Sequence, residues 1–90
     1  MNEPDERVSR IPVAVPSIAE GSEDIRVSAW LVDLGQSVIA GDPVVEILIP
    51  GITFDIAATG TGKLTEVCRA VDAVVQVGDI LGWIELDSTH

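Results

Sequence analysis

An all-β domain, a small barrel or sandwich built from a two-fold pseudo-symmetric pair of sheets, is the fold this sequence predicts. Three observations carry the prediction. Short Val- and Ile-rich runs recur between clusters of Gly, Pro, Asp and Ser, and none shows the apolar period of a helix. The stretch Val38–Ile47 recurs as Val75–Ile84, 37 positions on, sharing Val, Gly-Asp, an aliphatic residue and Ile. The same offset carries Val27, Trp30 and Leu34 onto Leu64, Val67 and Val71, which makes the two halves structural copies. Two copies are too few for a solenoid, so they form one paired unit.

The expected strands, in chain order, are Ile11–Val15, Ile25–Leu31, Val44–Ile49, Ile52–Ala57, Lys63–Cys68 and Ile80–Glu85, with shorter pieces near Ser37–Val38 and Val74–Val75. In Ile25–Leu31 the apolar positions Val27 and Trp30 stand three apart, and so do Leu64 and Val67 in its copy. The same break in alternation at the same place predicts a β-bulge that turns Trp30 inward. Gly41 and Gly78 precede Asp42 and Asp79, where a positive φ would open a turn into the next strand. Strand Ile52–Ala57 alternates, placing Ile52, Phe54 and Ile56 inward and Thr53 and Asp55 outward. The expected core is Val27, Trp30, Val38, Ile47, Phe54, Ile56, Leu64, Val67, Val75 and Ile84.

Ninety residues suit one domain. The folded unit is expected over 11–85, with polar, disordered tails at 1–10 and 86–90. Five basic against fifteen acidic residues give a net charge of −10, the wrong sign for nucleic acid or an anionic membrane. Trp30, Phe54 and Trp83 are the only aromatics, so the core is aliphatic. Cys68 has no disulfide mate and His90 is the single His, which leaves no zinc ligand set and points to a reducing compartment. No apolar run approaches the roughly 18 residues of a membrane span, and the start Met1–Glu6 is acidic, unlike a targeting peptide; the cytoplasm is the expected location. Scattered carboxylates and a tail His make no catalytic dyad, and no catalytic or metal-ligating residue is assigned.

Ile11-Pro12-Val13-Ala14-Val15-Pro16, Glu20-Gly21, Trp30-Leu31 with Gly35 and Val38, Gly41-Asp42-Pro43-Val44-Val45-Glu46-Ile47 and Val77-Gly78-Asp79-Ile80-Leu81 with Ile84 come in an order that resembles the lipoyl and biotinyl carrier domain family. The opening Pro, the Glu-Gly and the Trp are more similar to the lipoyl domains of dihydrolipoyl acyltransferases from 2-oxo-acid dehydrogenase complexes than to biotin carriers. The resemblance implies a flattened barrel-sandwich hybrid of two four-stranded antiparallel sheets with quasi-two-fold symmetry. It also implies a lipoyl group held as an amide on a Lys at the tip of the hairpin between the fourth and fifth strands. In the family that Lys usually closes the run Glu-Thr-Asp-Lys, and aligning the flanking strands sets Leu48-Ile49-Pro50-Gly51 against it, with Pro50 at the usual Asp and Gly51 at the usual Lys. An amide needs a side-chain amine, so no bound cofactor is expected.

Lys63, the only Lys, starts the sixth strand away from the tip and is read as a solvated strand-end residue. Thr59-Gly60-Thr61-Gly62-Lys63 looks like part of a phosphate-binding loop, but Ala57 stands at the opening Gly, Leu64 follows the Lys, and no helix is expected after it. Ile49-Pro50-Gly51-Ile52 suits a type II turn, with Pro fixing φ near −65° and Gly accepting positive φ. Two readings of the tip remain: Ile49 and Ile52 face the core, leaving Leu48 as a lone exposed apolar residue, or Leu48, Ile49, Pro50, Gly51 and Ile52 form a partner-contact knob. Glu20, Glu23 and Asp24 occupy a loop that lies beside the tip in the family, where it helps partner enzymes recognise the domain; simple solvation is the alternative. Cys68 is expected to pack as a small buried hydrophobe.

The resulting expectation is a non-catalytic binding or structural module, a monomer as an isolated domain, associated through protein partners with a 2-oxo-acid dehydrogenase system. The alternatives are a working lipoyl swinging arm, with cofactor on Lys63 or with Gly51 an introduced change, and a biotin-carrier, transport or sugar-transfer accessory barrel of the same architecture.

Overall fold

Residues with inward Val, Ile and Leu on one face and polar groups on the other pair into strands, and the computed structural model, which describes residues 9–87, contains eight of them. They are β1 (Arg10–Ala14), β2 (Ile25–Trp30), β3 (Ser37–Val38), β4 (Pro43–Ile49), β5 (Ile52–Ala57), β6 (Gly62–Val67), β7 (Val74–Val75) and β8 (Ile80–Leu86). One turn of 3₁₀-helix, Ser17–Ala19, lies between β1 and β2. The sheets have strand orders β1-β8-β6-β3 and β5-β4-β2-β7, antiparallel throughout. Exchanging β1 with β5, β2 with β6, β3 with β7 and β4 with β8 converts one order into the other. The expected two-fold pair of four-stranded sheets is therefore present.

The symmetry reaches single hydrogen bonds. Leu31 N donates to Val44 O at 2.8 Å, and its copy Cys68 N donates to Leu81 O at 2.7 Å. Gly35 N to Leu64 O at 2.7 Å is matched by Asp72 N to Val27 O at 2.8 Å. In the Gly-Asp turns, Ile39 N donates to Asp42 Oδ2 at 3.0 Å and Gln76 N to Asp79 Oδ2 at 2.9 Å. Gly41 and Gly78 adopt φ of 98° and 91°, as the sequence requires. The bulges fall where alternation breaks: the β2/β4 register shifts between Val27 and Ala29, and the β6/β8 register between Leu64 and Glu66.

Val27, Val38, Val44, Val45, Ile47, Leu64, Leu81 and Ile84 fill the space between the sheets. Ile56 and Val75 are also buried. Trp30, Phe54 and Val67, expected in the core, are half-buried and pack against its rim. Phe54 sits on edge strand β5, which has a neighbour on one side only, and Trp30 and Val67 close the ends of the bulged strands. Trp30 Nε1 donates to Arg69 O at 2.8 Å, which explains why the ring stays near the surface. Gly82 makes room for it, since a Cβ there would stand 2.9 Å from the ring.

Candidate functional site: the β4–β5 hairpin tip

Ile49 pairs with Ile52, leaving Pro50 and Gly51 as a two-residue turn. Gly51 has φ of 91°, the value a type II turn needs at its third residue. Both turn residues are exposed. Side chains beside the turn split in a way that alternation alone does not give. Ile49 is 8% exposed, whereas Leu48 is 42% and Ile52 60% exposed. The expectation that Ile52 faces inward is thereby corrected: it ends an edge strand at the closing pair of the hairpin, with a partner strand on one side only. The tip consequently displays Leu48 and Ile52 and keeps Ile49 in the core.

The register extends this surface sideways. Leu48 pairs with Arg26 on β2, and Arg26 pairs with Val74 on β7. Val74, which the sequence reading did not single out, is 58% exposed. The adjacent pair Val74-Val75 held the signal, since one of two neighbouring strand residues must point outward. The loop leading into β2 holds Glu20, Glu23 and Asp24, all exposed. Because Arg26 lies opposite Leu48, Asp24 enters β2 level with the Pro50-Gly51 turn. Asp24 has φ of 61°, a left-handed conformation that Asp tolerates, and its carboxylate is 3.5 Å from Arg26 Nη2. The loop and residues 74–77 enclose a shallow depression of about 470 Å³. The structure thus brings the acidic loop to the tip's flank.

Lys63 does not join them. It pairs with Glu85 on β8 and Ser37 on β3, near the start of β1. Under the pseudo-two-fold, this end of the first sheet corresponds to the tip end of the second, so Lys63 and the hairpin lie at opposite ends. The glycine-rich run before it is a turn between β5 and β6. Gly62 is required there because a Cβ would collide with the Glu85 carbonyl. Strand β6, not a helix, follows the turn directly. Cys68, expected to be buried within a strand, is half-buried and lies just past β6, with Sγ 3.8 Å from Glu66 Oε2. Among the described residues no three His, Cys, Asp or Glu side chains cluster as metal ligands, and no helix is long and apolar enough to cross a membrane. His90 lies outside the described residues.

A family model described as "Biotin-requiring enzyme", covering biotin and lipoyl domains, matches residues 11–84. The chain belongs to the biotin/lipoyl family. Among curated proteins it is 29% identical over 73 residues to the dihydrolipoyllysine-residue succinyltransferase component of the 2-oxoglutarate dehydrogenase complex of Bartonella vinsonii subsp. berkhoffii, covering 81% of this chain and 18% of that protein. It is 26% identical over 78 residues to the lipoamide acyltransferase component of the branched-chain alpha-keto acid dehydrogenase complex of Bacillus subtilis, covering 87% and 18%. The chain thus spans less than a fifth of the length of these relatives. The solution structure of the lipoyl domain of the 2-oxoglutarate dehydrogenase complex from Azotobacter vinelandii superposes with a TM-score of 0.69 at 22% identity, covering 88% of this chain and 99% of that domain. Kluyveromyces lactis urea carboxylase gives 0.70 at 24% identity, covering 93% and 7%. A biotin/lipoyl domain is a carrier-type module and is not catalytic by itself.

Proposed function

We propose that this biotin/lipoyl domain carries no lipoyl or biotinyl group and works as a protein-docking module, associated with a 2-oxo-acid dehydrogenase assembly of the acyltransferase type. One observation carries the reading: the β4–β5 turn, where a lipoyl domain would hold its cofactor, is Pro50-Gly51 and offers no amine, while the hairpin is otherwise intact. Gly51 stands in for the attachment Lys and Pro50 for the Asp before it. Acyl or carboxyl carriage through an amide is impossible on glycine. What the tip offers instead is exposed Leu48 and Ile52, with Asp24 level with the turn and Glu20 and Glu23 in the same loop, against β7. Such a surface fits a partner with an apolar socket and a basic rim. The 2-oxo-acid dehydrogenase association rests on the names of the relatives.

Intact-mass measurement after incubation with lipoate, ATP and a lipoate ligase tests the absence of cofactor. The parent protein is expected to gain no mass, with lipoate or with biotin and its ligase. The double variant Pro50→Asp, Gly51→Lys is expected to gain one lipoyl group. A Cβ at position 51 meets nothing within 4 Å, so the new side chain has room. Its left-handed backbone costs about 1 kcal/mol, less once Pro50 no longer constrains the turn. Lipoylation of the parent at Lys63 would overturn the reading.

A further inference from the structure

Edge strands β1 and β5 are two-fold mates, and between them along one side of the sandwich runs a mostly apolar groove of about 390 Å³. Its walls are built from equivalent residues: Val13 and Ile56, Ala14 and Ala57, Pro12 and Asp55. The two edges nevertheless differ in what their backbones offer. Ala58 N donates to Asp42 O at 2.9 Å on the β4 side, so alternation turns the peptide groups of Thr53, Asp55 and Ala57 outward. On β1, Val15 N donates to Asp79 O at 3.0 Å, and the outward residue at the matching place is Pro12. Proline has no N–H to give, which blunts that edge. Asp55, its mate, retains the donor.

The charges around Asp55 are also unbalanced. Asp55 lies directly opposite Glu46 across β4 and β5, an arrangement of like charges that disfavours the pair. Ser28 Oγ donates to Glu46 Oε1 at 2.9 Å, but the described ion pairs join Arg10 to Glu66 and Arg26 to Asp24, reaching neither carboxylate. A strand laid along β5 would set one side chain beside Asp55 on this outer face, extending the row from Glu46. The side chains before and after it would enter the groove against Phe54 and Ile56.

We propose that the open β5 edge and its groove bind an extended segment of another protein with an apolar–basic–apolar pattern, by strand addition. A second copy of this chain is a poor occupant, because each copy carries a net charge of −10 and would bring Asp55 where a cation is needed. The proposal does not depend on the missing lysine.

The probe is the capped peptide Ser-Val-Lys-Val-Ser, titrated into ¹⁵N-labelled protein. Amide shifts are expected in residues 53–57 and at Val13 and Ala14. Replacing the peptide's Lys by Glu, or both its Val residues by Ser, is expected to weaken binding at least tenfold. Asp55→Pro copies the blunted edge of β1 and is expected to keep the dispersed spectrum while losing at least tenfold in affinity. Asp55→Lys should reverse the preference toward the Glu peptide. No shift with the Lys peptide, equal binding of the Ser-substituted one, or shifts confined to residues 20–24 would overturn the proposal. Should Asp55→Pro fail to fold, the peptide series on the parent decides alone.

Discussion

Ile49 and Ile52 face each other across the closing pair of the hairpin, yet one is core and the other surface. Stability measurements should separate them. Ile49→Ser is expected to cost more than about 2 kcal/mol, since it removes buried apolar atoms and sets a hydroxyl among aliphatic side chains. Ile52→Ser should stay within about 0.5 kcal/mol of the parent, as exposed substitutions do. Urea midpoints of the two variants measure both, and a large loss at Ile52 would return that residue to the core. Gly82 presents the opposite situation, a residue whose importance is its lack of atoms. A Cβ there would stand 2.6 Å from Glu66 O and 2.9 Å from the Trp30 ring, so Gly82→Ala is expected to destabilise by about 1–3 kcal/mol through overpacking. At the tip, Gly51→Ala meets open space and pays only for its positive φ, about 1 kcal/mol. The Pro-Gly pair foretold the turn at Gly51, but nothing local foretold the void at Gly82, because only the folded chain brings Trp30 against β8.

Among the elements, the paired Gly-Asp turns give the repeat its physical content. Asp42 and Asp79 each hold a backbone N–H three residues upstream, so Asp42→Ala and Asp79→Ala should each cost about 1 kcal/mol, and by similar amounts. Thermal unfolding of the two variants is the measurement, and a large inequality would mean that the two halves share geometry without sharing energetics. The turns, the bulges and nearly every strand were legible in the sequence, because each leaves a local mark: a Gly before Asp, or an apolar spacing of three where two is the rule. Edge status leaves no such mark. It follows from strand order, which the sequence does not state residue by residue, and so Phe54 looked like a core residue when it lines the rim of a groove. Phe54→Ala is accordingly expected to cost about 2 kcal/mol, below the range for a fully enclosed ring. The acidic loop and the tip were each legible; that they adjoin was implied only by the family resemblance, and the pairing of Arg26 with Leu48 is what sets it in this chain.

For the molecule as a whole, ten unbalanced negative charges weigh on a small aliphatic core. The described ion pairs, Arg10 with Glu66 and Arg26 with Asp24, both involve largely exposed side chains, so added salt removes little attraction while it screens much repulsion. Raising NaCl to about 0.5 M is therefore expected to increase the melting temperature, and an unchanged or lower value would show that the repulsion is already relieved. The two-fold itself has one more implication. Leu86 N donates to Ser9 O at 2.8 Å, and this pair is the mate of Ile49 with Ile52, which closes the hairpin. The strand ends of β8 and β1 therefore already stand as the legs of a second hairpin that lacks only its turn. Joining residue 87 to residue 9 through a short Gly-containing link and opening the chain between Pro50 and Gly51 would yield a circular permutant with every ladder intact, the former tip now serving as the point of entry and exit.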